Sequence, residues 1–435
     1  MTEKIDRRTF TKATAAATLG LTAARARRVL GANDRIRLGF IGVGNRGTQL
    51  MAAFLKHDDA QIVALSDVSQ PLLAKAAEMV DAPVDRVADF RKVIDRNDLD
   101  AVVIATPDHW HAIQTIRACN AGKDVYVEKP LSITIHEGRR MVEAARRNDR
   151  IVQVGIHRRS SKLHAQLAEW IADGKLGKVT VSRAYRLSNM YPDGIGQKPV
   201  TAPPPDLDWD MWLGPRPAQP YQDNIAPYKF RWWNLYSSQM ANWGVHRLDA
   251  IRWLTGELAP SSVVSMGGRF AVDDDRTIPD TQESVFEFAS GRLAMFGMYE
   301  ASGNPAIRYG EVELRGTLGT AYIDSRKFEI VPERGGQFQN REPRMEPVEV
   351  ESADANASLT WQHAREFLDC VRSRRRPNCD VEIGHRSTTF SLLANISLAT
   401  RARLDWDAEE ERITNHPEAN DMLHYEYRKP WTLDG

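Results

Sequence analysis

A short apolar segment that leads directly into a glycine-rich turn constrains the fold of this chain more than any other feature. Residues 36–41 read as a β-strand, the pattern Gly-x-Gly-x-x-Gly follows at 42–47, and residues 48–56 read as a helix. The first glycine permits a tight turn, the second lets the backbone approach a diphosphate, and the third allows close helix–strand packing. Free N–H groups at the helix N-terminus would bind the phosphates. The turn predicts a dinucleotide site formed by Gly42, Gly44, Asn45, Arg46 and Gly47.

An acidic residue follows the next apolar run at the distance that a dinucleotide site requires. Residues 62–65 read as a second strand, which leads to Asp67, twenty positions after Gly47. Its carboxylate can accept hydrogen bonds from the adenosine ribose hydroxyls. No arginine follows it directly, and a 2′-phosphate would meet a negative charge, so the sequence favours NAD over NADP. Arg46 leaves NADP open, because its side chain could turn toward a phosphate.

The rhythm of strands and helices divides the chain into two folded domains. Alternating short apolar runs and helical patterns over residues 32–156 predict a doubly wound parallel sheet, an α/β Rossmann domain. Strand patterns dominate after residue 178, so residues 157–403 are expected to form an α+β domain with a large, mainly antiparallel sheet for substrate binding and oligomerisation. An insertion at 188–238, rich in Pro, Trp and Tyr, predicts a binding or packing lid. The tail, 404–435, is expected to wrap over a domain or a neighbouring subunit.

The first 31 residues look like a targeting segment and are excluded from the fold. Arg7 and Arg8, followed by Phe10 and Lys12, precede a weakly apolar stretch at 13–24, which resembles a twin-arginine export signal. The stretch is far shorter than the ~20 apolar residues that span a bilayer. The alternative is a disordered basic tail. We expect passage through the twin-arginine machinery to the periplasm, with retention at the membrane if the leader is not cleaved. That pathway moves folded proteins, so a retained NAD could travel with the chain.

Charge and cysteine content exclude other classes. Lys plus Arg and Asp plus Glu number 58 each, so no net field favours nucleic acid. The three cysteines have no metal-like spacing, and Cys370 could meet Cys379 only if the chain turned back. His109-Trp110-His111 is too sparse for a metal site.

Two groups of residues could carry chemistry. Glu128-Lys129-Pro130 falls at the C-terminal end of the fifth parallel strand, the edge at which open α/β sheets bind ligands. The amine of Lys129 could bind a substrate hydroxyl, stabilise an alkoxide or transfer a proton. On a helix, Asn242, His246 and Asp249 share one face, which would place a histidine between an amide and a carboxylate as a general base. The alternative is a buried structural histidine held by Asp249.

Together these residues resemble the glucose–fructose oxidoreductase / inositol 2-dehydrogenase / MocA family. The resemblance runs from about residue 35 to the C-terminus and is carried by segments 42–47, 106–111, 128–130 and 244–249. It implies a Rossmann domain followed by an open, mainly antiparallel sheet, which would pack sheet to sheet in a homodimer or homotetramer.

The resemblance also implies roles for individual residues. Lys129 matches the catalytic lysine of the family, His246 its catalytic histidine and Asp249 a substrate-contacting acid. The implied cofactor contacts are Thr106, Pro107 and His111, joined by His109 and Glu128 from the same two segments. Many sugar and polyol dehydrogenases of this family carry Asp four residues before the histidine. This chain has Asn242 there, and an amide cannot hold a proton relay.

Three functions fit these observations. The first is an NAD-dependent oxidoreductase that acts on a hydroxyl carbon of a sugar, polyol or glycoside. The second keeps NAD bound and is redox-neutral, so that transient oxidation permits elimination or epimerisation. The third is a non-catalytic sugar- or nucleotide-binding protein, which only Asn242 supports.

Overall fold

The computed structural model describes residues 35–353 and 358–433. The predicted leader at 1–31 lies outside these residues. Within them, no helix combines the length and apolar character needed to cross a membrane. Cys119, Cys370 and Cys379, all within the described ranges, are buried and free, so Cys370 and Cys379 are not paired.

A six-stranded parallel sheet forms the first domain and confirms the predicted doubly wound architecture. Its order is β3-β2-β1-β4-β5-β6, so the strand order reverses between β1 and β4. Ligands bind at such a reversal, outside the carboxyl ends of the strands. The strands are β1 (Ile36–Ile41), β2 (Ala60–Ser66), β3 (Asp85–Val87), β4 (Ala101–Ile104), β5 (Asp124–Val127) and β6 (Val152–Val154).

Local side-chain hydrogen bonds fix the start of the longest helix of this domain. Thr134 and Glu137 form a reciprocal capping box at the start of the longest helix, which satisfies backbone N–H groups that have no intrahelical partner. The segment at 91–94 forms a single helical turn. The helices are α1 (Asn45–Phe54), α2 (Gln70–Ala77), α3 (Arg91–Ile94), α4 (His111–Asn120) and α5 (Ile135–Arg147).

A large sheet forms the second domain, and the predicted antiparallel arrangement is confirmed with one exception, the parallel β7–β10 pair. The order is β15-β14-β13-β12-β7-β10-β9-β8-β16-β17, with β11 paired to β7. The strands are β7 (Val179–Asn189), β8 (Ser262–Gly268), β9 (Thr281–Phe288), β10 (Arg292–Tyr299), β11 (Ala301–Ser302), β12 (Val312–Gly316), β13 (Gly319–Ile323), β14 (Lys327–Pro332), β15 (Val348–Glu351), β16 (Leu404–Asp407) and β17 (Arg412–Ile413).

Helices cover one face of this sheet and connect it to the first domain. The five helices are α6 (Lys162–Ala172), α7 (Trp209–Leu213), α8 (Gln239–Thr255), α9 (Leu359–Ser373) and α10 (Val381–Thr400). Helices α8 and α10 pack on the inner face of the sheet. Helix α9 instead returns to the first domain, where Phe367 packs against Phe54 and Tyr126. The two domains therefore share a covered boundary, although α9 follows the second sheet in the sequence.

The outer face of the sheet carries half-exposed and exposed apolar side chains. Val264 and Met266 of β8 are exposed, and Leu293 of β10 is exposed on the same side. This is the face at which the sequence analysis expects a second copy of the chain. The oligomeric state stays a prediction.

The insertion at 188–238 packs as a unit with its own apolar cluster, formed by Trp212, Phe230, Trp233 and Tyr236 among others. Main-chain hydrogen bonds attach it to the loop after β2. Gln70 N donates to Asp206 O, and Asp208 N donates to Val68 O. The insertion is thus a fixed cover over the edge of the first domain.

The tail begins as part of the second sheet and ends on the first domain of the same chain. Strand β16 pairs with β8, and Trp431 then packs between Phe90 and Trp110, with ring centroids 6.2 and 4.7 Å away. Arg428 Nε donates to Gly214 O in the insertion at 2.9 Å. The tail therefore holds the insertion and the first domain together.

Replacing Trp431 by Ala is expected to lower the free energy of unfolding by about 3 kcal/mol, because the buried ring leaves a cavity. Urea denaturation measures the change. Trp361→Ala is the control: that ring is 42% exposed, so its loss should cost less than about 1 kcal/mol. Equal effects of the two substitutions would contradict the docking of the tail.

Candidate functional site

The glycine turn after β1 has the geometry that a dinucleotide cradle needs. Gly42 has φ +82°, and a Cβ there would lie 2.6 Å from Thr106 N. A Cβ on Gly47 would overlap the Gly42 carbonyl oxygen. Over Gly44 the nearest atom is Leu72 Cδ1 at 3.8 Å, which leaves room for a ligand. No side chain caps the first turn of α1, so its N–H groups are free to bind an anion.

Asp67 lies at the carboxyl end of β2 and is fixed by two backbone donors. Val43 N and Ser69 N each donate to its carboxylate at 2.9 Å. Burial raises the pKa of the carboxyl group. Arg46 does not turn toward this group, because its Nε donates to Glu128 Oε1 at 2.7 Å. The adenosine end of the cleft therefore offers a carboxylate and no opposing arginine, which suits NAD.

A cleft of about 810 Å³ runs along the glycine turn. One wall comes from the first domain and contains Gly42, Gly44, Asn45, Arg46, Asp67, Thr106 and Pro107. The other wall comes from the insertion and contains Leu207, Met211, Trp212, Tyr228, Phe230 and Arg231. The aromatic content of the insertion, which includes Trp212, predicted a binding or packing lid.

Lys129 links the end of β5 to helix α8. The peptide bond between Lys129 and Pro130 is cis. The Lys129 Nζ atom donates to both Asn242 O and Asn242 Oδ1 at 3.1 Å. Burial lowers the pKa of the amine to about 8. The structure therefore brings together the two segments that the sequence singled out for chemistry.

His246 lies one turn beyond Asn242 and is buried. Its Nδ1 has no hydrogen-bond partner in the described part of the chain, and its ring centroid is 5.0 Å from that of His157. Burial, reinforced by the positive charge of Arg158, lowers its pKa well below 6.5, so the imidazole is neutral. The predicted placement of this ring between an amide and a carboxylate is wrong, because Asn242 Oδ1 binds Lys129 and Asp249 binds Arg159.

Asp249 is fully buried in an ion pair. Arg159 donates two hydrogen bonds of 2.8 Å to its carboxylate, and Ser387 Oγ donates a third at 2.6 Å. Burial disfavours the carboxylate, yet the Arg159 guanidinium holds its pKa below the ordinary value. The predicted substrate contact of Asp249 is therefore corrected: this side chain fixes helix α8 against the 3₁₀ turn at 157–160.

Two histidines of segment 106–111 do not line the cleft. His109 Nε2 lies 2.9 Å from Trp212 O, and burial lowers the pKa of its ring to about 3, so it packs under the lid. His111 lies between the Pro130 and Thr106 carbonyl oxygens, at 2.8 and 3.0 Å. Neither histidine ring therefore lines the cleft, and their cofactor contacts stay a prediction. The resemblance located the segment, but the 3₁₀ turn at 108–110 directs these rings inward.

Glu128 does not line the cleft either. Its side chain is buried and forms an ion pair with Arg46. Thr106 and Pro107 do line the cleft, and Thr106 Oγ1 donates to Gln114 Oε1 at 2.8 Å. Among the described residues, no group of three or more His, Cys, Asp or Glu side chains is placed to hold a metal ion.

Fold and cleft define a two-domain protein with a Rossmann dinucleotide site and a lysine at the boundary with the second sheet. The family model described as "Oxidoreductase family, NAD-binding Rossmann fold" matches residues 36–156. The model described as "Oxidoreductase family, C-terminal alpha/beta domain" matches residues 165–433. The chain belongs to the glucose–fructose oxidoreductase / inositol 2-dehydrogenase / MocA family, and its first domain is an NAD-binding domain.

The chain is similar to curated relatives over part of its length. A Glycosyl hydrolase family 109 protein of Shewanella baltica is 31% identical over 174 residues, which cover 34% of this chain and 38% of the relative. A second protein of that description, from a Shewanella species, is 32% identical over 125 residues, 27% of each chain. The chain thus matches well under half the length of these relatives.

Solved structures share the fold over nearly their full length. Levoglucosan dehydrogenase in complex with NADH and levoglucosan has a TM-score of 0.65 at 19% identity, covering 85% of this chain and 99% of that one. Scyllo-inositol dehydrogenase from Lactobacillus casei, with bound cofactor NAD(H) and scyllo-inositol, has a TM-score of 0.61 at 20% identity and the same coverage of 85% and 99%.

Asp249→Asn is expected to lower the free energy of unfolding by about 3 kcal/mol, because Arg159 would keep a buried charge without its counterion. Asp98→Asn is the control. Asp98 is 45% exposed in its ion pair, so the substitution should cost less than about 1 kcal/mol. A stable Asp249→Asn protein with a raised KM would instead place Asp249 at the substrate.

Proposed function

We propose that this protein is an NAD-dependent oxidoreductase that transfers hydride to or from a hydroxyl carbon of a sugar, polyol or glycoside. The observation that carries the proposal is the partly buried amine of Lys129, which follows β5 at the ligand-binding edge of the sheet and is fixed by Asn242. Fold relatives that bind NADH with levoglucosan or scyllo-inositol support this substrate class.

The residues of the cleft fit the cofactor. The open space over Gly44, the uncapped start of α1 and the carboxylate of Asp67 provide for a diphosphate and a ribose. When bound, NAD supplies the hydride acceptor at the nicotinamide ring. Lys129 then acts on the substrate oxygen. An ammonium has three donors, and Asn242 accepts two of them, so one donor remains for a substrate hydroxyl.

Asn242 makes Lys129 the group that transfers the proton. The amide oxygen orients the amine without adding negative charge, whereas a carboxylate at this position would stabilise the ammonium. Burial lowers the pKa of Lys129 to about 8 against the opposing charges of Glu128 and Asp108, so the neutral amine can accept the hydroxyl proton. His246 is neutral, and its Nδ1 is free to bind a neighbouring hydroxyl of the substrate.

Lys129→Met should lower kcat/KM for alcohol oxidation by about 10³-fold, because proton transfer is lost. NAD affinity should stay unchanged. In the parent protein kcat/KM for oxidation should rise with pH and level off above about 8, where the amine is neutral. Stopped-flow absorbance of the reduced nicotinamide measures kcat/KM of the variant and the pH dependence of kcat/KM in the parent protein.

Asn242→Asp should move this inflection to higher pH, and Lys178→Met, which removes an exposed amine, should leave the rate unchanged. Hydride transfer that survives Lys129→Met would overturn the proposed role of the lysine. A parent protein that binds NAD and sugars without hydride transfer would be a binding protein instead.

A second function keeps the site and changes the net reaction. The lid forms one wall of the cleft, and curated relatives over part of the chain are described as Glycosyl hydrolase family 109 proteins. A tightly held NAD would take up a hydride from a sugar carbon and return it within the same turnover. Between these events the ketone acidifies the neighbouring C–H bond, the base removes that proton, and the glycosidic oxygen leaves with a proton. Water then adds to the resulting enone, so the net reaction is hydrolysis. Return of the proton to the opposite face would instead give epimerisation.

The lid distinguishes the two functions. If NAD is retained, the protein should release about one nucleotide per chain on acid denaturation and cleave glycosides without added NAD. Mass spectrometry measures the released nucleotide, and product analysis measures the cleavage of glycosides. Tyr228→Ala, at the lid wall, should make turnover depend on added NAD, while Tyr191→Ala, in the same insertion but 61% exposed, should not. Strict dependence of the parent protein on added NAD would exclude the redox-neutral reaction.

A further inference from the structure

Arg186 occupies a place in the fold that the reaction described above does not use. It lies on β7, and side chains alternate between the two faces of a strand, so it shares the inner face with the buried residues Ser182 and Ala184. Its guanidinium carbon is 4.0 Å from the ring centroid of Trp243 on helix α8. Arg186 therefore points toward the helix that carries Asn242 and His246.

No carboxylate of the described residues forms an ion pair with Arg186, although the side chain is only partly exposed. Glu300 is the nearest acidic influence, but it already accepts from Arg276 and from Trp232 Nε1. Burial lowers the pKa of the Arg186 guanidinium. A partly buried cation without a counterion is unfavourable, and an anion at this position would relieve the cost.

The neighbouring arginines differ, because each has a carboxylate. Arg158 donates two hydrogen bonds of 2.6 Å to Glu311, which Arg247 also contacts. Arg159 is paired with Asp249. These cations are structural, whereas Arg186 has a guanidinium fork that is left for a ligand.

The cofactor does not supply the missing anion. Arg231, which also has no ion pair among the described residues, lines the cleft along the glycine turn, where the dinucleotide phosphates are negative. Arg186 does not line that cleft. It lies beside Trp243, which directly follows Asn242, the residue that binds Lys129.

We propose that the substrate is an acidic sugar, a uronic acid or its glycoside, whose carboxylate binds Arg186. This inference rests on the proposed function and names its substrate class. The planar guanidinium forms two parallel hydrogen bonds with a carboxylate, and the Trp243 ring fixes the plane in which it does so. The carboxylate binds, the hydroxyl carbon reaches Lys129, and no atom of Arg186 takes part in the chemistry.

The test measures binding rather than turnover. Calorimetric titration of the NAD-loaded protein compares D-glucuronate with D-glucose and D-galacturonate with D-galactose. Each acid should bind at least about tenfold more tightly than its neutral partner. Arg186→Gln should abolish this preference and leave the affinity for the neutral sugars unchanged, and Arg186→Lys should restore part of it. Arg326→Gln removes a cation whose side chain is 72% exposed and should change neither affinity.

Two results would overturn the proposal: acids that bind no more tightly than neutral sugars, and an acid preference that survives in Arg186→Gln. Unchanged NAD stoichiometry and thermal unfolding show that this variant is folded. The absence of hydride transfer would contradict the proposed function, and this measurement is independent of the binding test. Lys129→Met should keep the acid preference while losing turnover, since the two side chains bind different parts of the substrate.

Discussion

The contact between Lys129 and Asn242 is the interaction on which the site depends. It joins the end of a strand in the first domain to a helix that lies on the sheet of the second. The two oxygens of Asn242 orient the amine, while burial, opposed by the negative charges of Glu128 and Asp108, lowers its pKa. His111 supports this arrangement from the first domain by bridging the carbonyl oxygens of Thr106 and Pro130. The loop beside the cofactor and the loop that carries the lysine therefore cannot move independently.

Buried ion pairs fix helix α8 from the other side. Asp249 and Arg159 exclude water from their contact, and Glu311 holds two further arginines near His246. Such pairs contribute little net stability compared with an apolar core, but breaking one is costly. In this protein the ion pairs mainly fix the position of helix α8. They hold helix α8, which carries Asn242, in place, and burial, reinforced by the positive charge of Arg158, keeps His246 neutral.

The fold was more predictable from the sequence than the site. Strand, glycine turn and helix recur with fixed spacing, so the doubly wound domain and the cleft residues Gly42, Gly44 and Asp67 followed from local pattern. Helical spacing also placed Asn242, His246 and Asp249 on one face. Helical spacing could not supply their partners, which come from distant segments. Lys129 lies 113 residues before Asn242, and Arg159 lies 90 residues before Asp249.

The exchange of a carboxylate for an amide beside the lysine has a consequence for the net reaction. A lysine whose pKa lies near 8 is half neutral at that pH, so it can remove a hydroxyl proton and also the more acidic proton next to a ketone. A lysine held as an ammonium by a neighbouring carboxylate would donate more readily than it accepts. With a lid of aromatic side chains over the cleft, a basic lysine favours chemistry in which the oxidised substrate stays bound long enough to react further. The uncharged partner of Lys129 thus suits the redox-neutral reaction at least as well as net oxidation.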